Sequence, residues 1–297
     1  MKFNKDIINT EIMNILYILK KLRNAYIGAI NGYKFGGIVK AAISEINYGG
    51  MFSEKDVVLV SGGSKGIGLE ICKKLLKEGA VVIITGRDLE KLKEVKSNLA
   101  SNRLYITDLD ISKAENMSER LNAIEINIGK PITALINNAG VYAETHFPNV
   151  DENDAMRVFT TNAIGTLILS QCMCKMWGNR TNQKPYKIIN ICSQGGFVGA
   201  NNAYRMTKWG IRGLTEYMGK SLCSKNIIVN GVAPGIVLTD MQPHFKKQGD
   251  NLVTNMVPSG RIALPLEIAE LVIFLLSDAA NYIIGQTICC DGGYSLK

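Results

Sequence analysis

Residues 56–79 read "DVVLVSGGSKGIGLEICKKLLKEG", and this one stretch narrows the folds open to the chain. A short β-branched run ends in a glycine turn, and an amphipathic helical stretch begins at once and stops at Gly79. The run lacks polar alternation, which predicts a strand covered on both faces, as in parallel sheets. Gly62, Gly66 and Gly68 are spaced G-x-x-x-G-x-G between strand and helix. Glycine lets backbone approach a ligand closely, and a helix N-terminus offers free N–H groups and the positive end of its dipole. A turn so placed suits a phosphate.

The alternation continues. "AVVIITG" (80–86) predicts a second strand, "DLEKLKEVKSNL" (88–99) a helix and "RLYITDLD" (103–110) a third strand. Further strands are expected within "PITALINNAG" (131–140), "KIINICS" (187–193), "IIVNGVAPG" (227–235) and "QTICCDGG" (286–293), with helical stretches between. Strand and helix in turn predict an α/β fold, a doubly wound parallel sheet. No repeat or low-complexity linker interrupts residues 51–297, which are expected to form one domain.

Residues 1–50 differ. Seven basic residues face three acidic ones there, although the whole chain of 297 residues carries a formal charge of only +8. Ile8, Ile12, Ile15, Leu19, Leu22, Tyr26 and Ala29 form an apolar helical stripe. A helical extension packed on the main body or on a neighbouring subunit is expected, ahead of a basic amphipathic helix on a membrane surface. The basic residues are scattered, without the dense run of a nucleic-acid arm. Acidic residues interrupt the start of the chain, which speaks against a secretory signal. Seven cysteines without a C-x-x-C pair fit a reduced, cytoplasmic protein without disulfides or zinc. Two histidines leave little material for a histidine triad or a metal cage, and no metal is expected.

Charge at the end of the second strand bears on the cofactor. An acid there would bind an adenosine ribose, but the sequence is "TGRD". Gly86 leaves room, and Arg87 with Lys65 supplies charge for a 2′-phosphate. NADP(H) is therefore expected ahead of NAD(H), with Asp88 as the residue that would reach a ribose instead.

"YRMTK" (204–208) places Tyr204 and Lys208 at i and i+4, one face of a helix. In this company the chain resembles the short-chain dehydrogenase/reductase family over roughly residues 55–297. "SGGSKGIG" is similar to that family's T-G-x-x-x-G-I-G, with Ser61 in place of threonine. "NNAG" (137–140), "TNAIGT" (161–166), "ICSQGG" (191–196), "YRMTK", "APGIVLTD" (233–240) and "GQTICCDGGY" (285–294) follow in the family's order. Two departures stand out: a slightly short spacing between Ser193 and Tyr204, and the extension before residue 51.

The resemblance implies a Rossmann-like fold and a catalytic set of Asn162, Ser193, Tyr204 and Lys208. Tyr204 would exchange the proton, and Lys208 would pull its pKa down from ~10. Ser193 would hold the substrate oxygen, and Asn162 a water in a relay. Cofactor contacts are implied for Gly62, Ser64, Lys65, Gly66, Ile67, Gly68 and Arg87, for Asp110 and Ile111 at the adenine, and for Asn138, Ala139 and Gly140 at the inner ribose. Tyr204, Lys208, Pro234, Gly235, Val237 and Thr239 complete that set. The C-terminal stretch "PSGRIALPLEIAELVIFLLSDAANYIIGQTICCDGG" is most similar to 3-oxoacyl-[acyl-carrier-protein] reductases, with residues 238–258 expected as a substrate lid. The implied substrate is a small ketone or secondary alcohol, with a 3-oxoacyl thioester on acyl-carrier protein as the favoured case. Sugar, steroid or secondary-metabolite ketones, and a non-catalytic NADP-binding scaffold, are the alternatives. A homo-oligomer, tetramer or dimer, is expected by the same resemblance.

Overall fold

The computed structural model describes residues 40–178, 180–241 and 251–296, together with Leu19, Leu22, Arg23 and Tyr26. Seven strands form one parallel sheet: β1 (Val57–Ser61), β2 (Val81–Gly86), β3 (Leu104–Asp108), β4 (Ala134–Asn137), β5 (Tyr186–Ile191), β6 (Ile227–Pro234) and β7 (Thr287–Cys290). Their order is β3-β2-β1-β4-β5-β6-β7, and every pairing is parallel. The order reverses between β1 and β4, where such sheets open a crevice beyond the carboxyl ends of their strands.

Both faces are covered. Val58, Val60, Val82 and Ile84 face one core, built with α1 (Gly66–Lys77), α2 (Leu89–Leu99) and α7 (Pro265–Leu276). Val57, Leu59, Val81 and Ile83 face the other, built with α3 (Met117–Ile128) and α5 (Thr166–Gly178). Successive side chains of one strand enter opposite cores, so β1 and β2 read as unbroken apolar runs. The helix α4 (Glu152–Val158) continues through a π-helical segment, Phe159–Gly165, into α5. The helix α6 (Ala203–Leu222) lies between β5 and β6 in the chain and carries the Tyr-x-x-x-Lys pair.

The stretch just before β1 is fastened to α1 and α7. Lys74 Nζ, almost wholly buried, lies 2.9 Å from Glu270 and 3.2 Å from Glu78, and donates to the Ile46 carbonyl at 2.6 Å. The Tyr48 hydroxyl donates to the Glu270 carbonyl, and the Tyr48 ring is buried in the same core. A buried cation among carboxylates and a carbonyl is tolerable because its donors are satisfied. The expected helical stripe of residues 1–50 lies mostly outside the described residues. Its members Leu19, Leu22 and Tyr26 are helical and more than half exposed. No described helix is long and apolar enough to cross a membrane.

Candidate active site

Construction begins at the β1–α1 turn. Gly62 and Gly66 have φ of +70° and +55°, a region that side chains disfavour. A Cβ on Gly68 would stand 2.4 Å from both the Gly62 carbonyl and the Asn138 amide, so this glycine is set by close packing. Ser61 explains much of "NNAG". Its Oγ accepts from the N–H groups of Asn138 and Ala139 at 3.0 and 3.1 Å and donates to the Ile136 carbonyl. The Asn138 amide donates back to the carbonyls of Ser61 and Gly62. Turn and β4 end are thus one hydrogen-bonded unit. No side chain caps the start of α1 and its first turn holds no acid. Its free N–H groups and dipole remain for an anion.

The turn forms one end of a cavity of about 690 Å³ along the carboxyl ends of the strands. Every residue expected at the cofactor lines it except Gly68, which lies beneath the turn. Arg87 at the end of β2 and Lys65 in the β1–α1 turn line it, joined by Lys91 from α2, a residue the sequence reading missed. Among the described residues no carboxylate pairs with any of the three. Asp88, the alternative ribose acid, also lines the cavity, with its Oδ1 capping α2 by accepting from the Lys91 N–H at 3.0 Å. Asp110 lines the wall with one carboxylate oxygen held by the backbone and hydroxyl of Ser112. An uncapped helix terminus and a glycine cradle fit the pyrophosphate of a dinucleotide.

Ser193, Tyr204 and Lys208 line the far part of the same cavity. Ser193 follows β5, where its Oγ accepts from the Gly195 N–H at 3.1 Å, and its hydroxyl lies near enough to Tyr204 to act on the phenol. Asn202 caps α6 by accepting from the Arg205 N–H, which fixes the helix start two residues before Tyr204. Lys208 is buried, donates to the Ile191 carbonyl at 2.8 Å and sits 5.4 Å from the Tyr204 ring centre. Burial lowers its pKa to about 8. Tyr204 runs against expectation. Burial holds its hydroxyl above the usual range, only partly offset by the neighbouring Ser193 hydroxyl, and Lys208 does not pull it down. The ammonium is occupied by a carbonyl, and loss of solvent outweighs it in the protein alone.

Asn162 lies outside the cavity wall, fully buried in the π-helical segment. Its amide is committed to Val141, accepting from the N–H at 2.8 Å and donating to the carbonyl at 2.9 Å, with a longer contact to Thr207. The side chain therefore ties the segment after β4 to the helix. Such π-segments recur at functional sites. Of the expected lid, 238–258, residues 242–250 lie outside the described residues, while Leu252 and Val257 are buried in a small apolar cluster with Ile236 and Ile262. The cavity wall near Tyr204 also holds Tyr142, Arg157, Gln194 and Arg205, none singled out from the sequence. Tyr142 packs its ring 4.9 Å from that of Tyr204.

Comparison with known proteins agrees with this geometry. The family model described as short chain dehydrogenase matches residues 56–250. The 3-oxoacyl-[acyl-carrier-protein] reductase of Aquifex aeolicus is 33% identical over 242 residues, covering 80% of this chain and 96% of that protein. Among solved structures, the RhlG/NADP active-site complex of Pseudomonas aeruginosa superposes with a TM-score of 0.76 at 28% identity, covering 83% of this chain and 98% of its own. The 3-ketoacyl-(acyl-carrier-protein) reductase of Brucella melitensis, complexed with NADH, gives 0.74 at 26% identity, covering 82% and 99%. The chain belongs to the short-chain dehydrogenase/reductase family, as an NAD(P)-dependent enzyme acting between CH–OH and C=O.

Proposed function

We propose that the protein is an NADPH-dependent ketone reductase whose substrate is a 3-oxoacyl thioester carried on an acyl-carrier protein. The observation that carries the chemistry is the placing of Ser193, Tyr204 and the buried Lys208 together at one end of a cavity whose other end is an uncapped helix N-terminus. The turn at Gly62–Gly68 would hold the pyrophosphate, Asp110 and Ile111 the adenine, and Asn138–Gly140 the inner ribose. Bound there, the reduced nicotinamide supplies a hydride. Tyr204 donates the proton to the substrate oxygen, and Ser193 hydrogen-bonds that oxygen as negative charge grows on it. A phenol kept neutral by burial is in the form that a donor needs, which favours the direction of reduction. Lys208, protonated below about pH 8, supplies positive charge beneath the phenol while Ile191 holds it in place. Asn162 fixes the helix carrying this wall against Val141. The thioester reading is supported by the reductases among the relatives and by a basic chain, which suits an acidic carrier. Exposed Ile164, Leu167, Met206 and Tyr217 along α5, α6 and the π-segment support the expected homo-oligomer.

The preference for NADPH rests on Lys65, Arg87 and Lys91, with the Oδ1 of Asp88 capping its own helix. Arg87→Ala should weaken NADPH binding about tenfold, measured by nucleotide fluorescence, and leave NADH binding nearly unchanged. Equal weakening of both would contradict the assignment. The substrate class is tested by NADPH oxidation across acyl thioesters, sugar ketones and steroid ketones. Turnover is expected first with 3-oxoacyl thioesters, and turnover of a sugar or steroid ketone alone would overturn that choice.

A further inference from the structure

Arg205 sits beside Tyr204 in the chain and in the same cavity, yet the chemistry above does not use it. It differs from the other arginine on that wall. Arg157 pairs with Asp154 at 2.6 Å and Glu144 at 3.5 Å, and donates to the Tyr142 carbonyl. Arg205, half-buried, has no carboxylate partner among the described residues. One of its five N–H donors meets the Gly199 carbonyl at 2.9 Å. No other acceptor meets the rest among the described residues. A partly buried guanidinium so placed keeps donors for whatever fills the cavity.

The wall is shaped around this side chain. A Cβ on Gly195 would stand 3.1 Å from the Arg205 Cγ, so the glycine gives the arginine stem its passage. Gly195 is also the residue whose N–H holds Ser193 Oγ. Beside it, the Oε1 of Gln194 is buried and meets no donor among the described residues. Buried polar atoms in folded proteins are overwhelmingly paired, so this wall is made for a polar ligand.

We infer that Arg205 is a specificity-determining residue that donates hydrogen bonds to a second carbonyl oxygen of the substrate, selecting 1,3-dicarbonyl compounds over plain ketones. The inference rests on the 3-oxoacyl reading and deepens it. A 3-oxoacyl thioester carries its second carbonyl two carbons from the reacting one, within the same cavity that Tyr204, Ser193 and Arg205 line. Arg205 then fixes which ketone of the molecule meets Tyr204, by holding the other carbonyl.

The test compares ethyl acetoacetate with 2-hexanone, under NADPH, in wild type, Arg205→Met and Arg205→Lys. The ratio of kcat/KM values removes the intrinsic difference in reactivity between the two ketones. Arg205→Met should lower the ratio by about ten- to a hundredfold, chiefly through KM for ethyl acetoacetate. Arg205→Lys, which keeps the charge and one donor direction, should lose less. NADPH fluorescence reports whether each variant is folded, and Arg205→Gln replaces the methionine variant if that one fails to fold. A ratio unchanged in Arg205→Met, or an equal loss on both ketones, overturns the assignment while the 3-oxoacyl reading stands. A wild type that turns over 2-hexanone and not ethyl acetoacetate overturns both.

Discussion

Tyr204→Phe is expected to lower kcat/KM for ketone reduction by about 10²–10⁴-fold, the usual contribution of a positioned proton donor. The change removes one oxygen. The ring stays in the cluster with Ala143, Val158 and Ala203, and its packing on Tyr142 is retained. Folding should therefore survive, and NADPH affinity should change far less than turnover. The loss should fall on kcat and kcat/KM together, because the proton transfer belongs to the transition state. Ser193 still accepts from the Gly195 N–H, so it remains available to the substrate oxygen. Full activity in Tyr204→Phe would contradict the mechanism at its centre.

Lys208→Met is expected to cost about 10²–10³-fold in the same quantity, by withdrawing fixed positive charge from a low-dielectric site. Its pH dependence makes this prediction specific. Burial lowers the lysine's pKa to about 8, so the ammonium is present below that pH and lost above it. The kcat/KM for reduction should be level below about pH 8 and fall as pH rises through it. In Lys208→Met the falling limb at that pH should disappear, leaving a low rate set by Tyr204 alone. Alcohol oxidation should respond oppositely in wild type, since it needs Tyr204 as an acceptor and its hydroxyl is held above the usual range. An unchanged limb in Lys208→Met would assign that titration elsewhere.

Much of this site was legible because spacing on regular elements fixes faces. Glycines at 62, 66 and 68, asparagine at 138 and the Tyr204–Lys208 pair all lie where strand ends and helix turns place them. All expected cofactor residues but Gly68 reach one cavity. What spacing does not encode is competition for partners. Asp88 and Arg87 are neighbours, and only the capping bond to Lys91 shows that one oxygen of the acid is already engaged. Asn162 stood out as a functional asparagine, yet a seven-residue π-helical segment turns its amide to Val141. The direction of the Tyr204 pKa was misjudged because i and i+4 proximity says nothing of burial, and here burial exceeds the effect of a lysine already bonded to Ile191. Arg205 lies inside "YRMTK", but spacing alone gives it no role. Its unpaired charge becomes visible only beside Arg157, which has acids on either side.

The central claim is hydride transfer from NADPH to the ketone carbon of a 3-oxoacyl thioester. The direct measurement uses NADPH carrying deuterium at the transferable position and follows the product by mass spectrometry. The account predicts a 3-hydroxyacyl thioester with one deuterium on the carbinol carbon in wild type, and none formed at comparable rate by Tyr204→Phe. Recovery of NADPH with its label intact, beside unreacted 3-oxoacyl thioester and saturable NADPH binding, would contradict it.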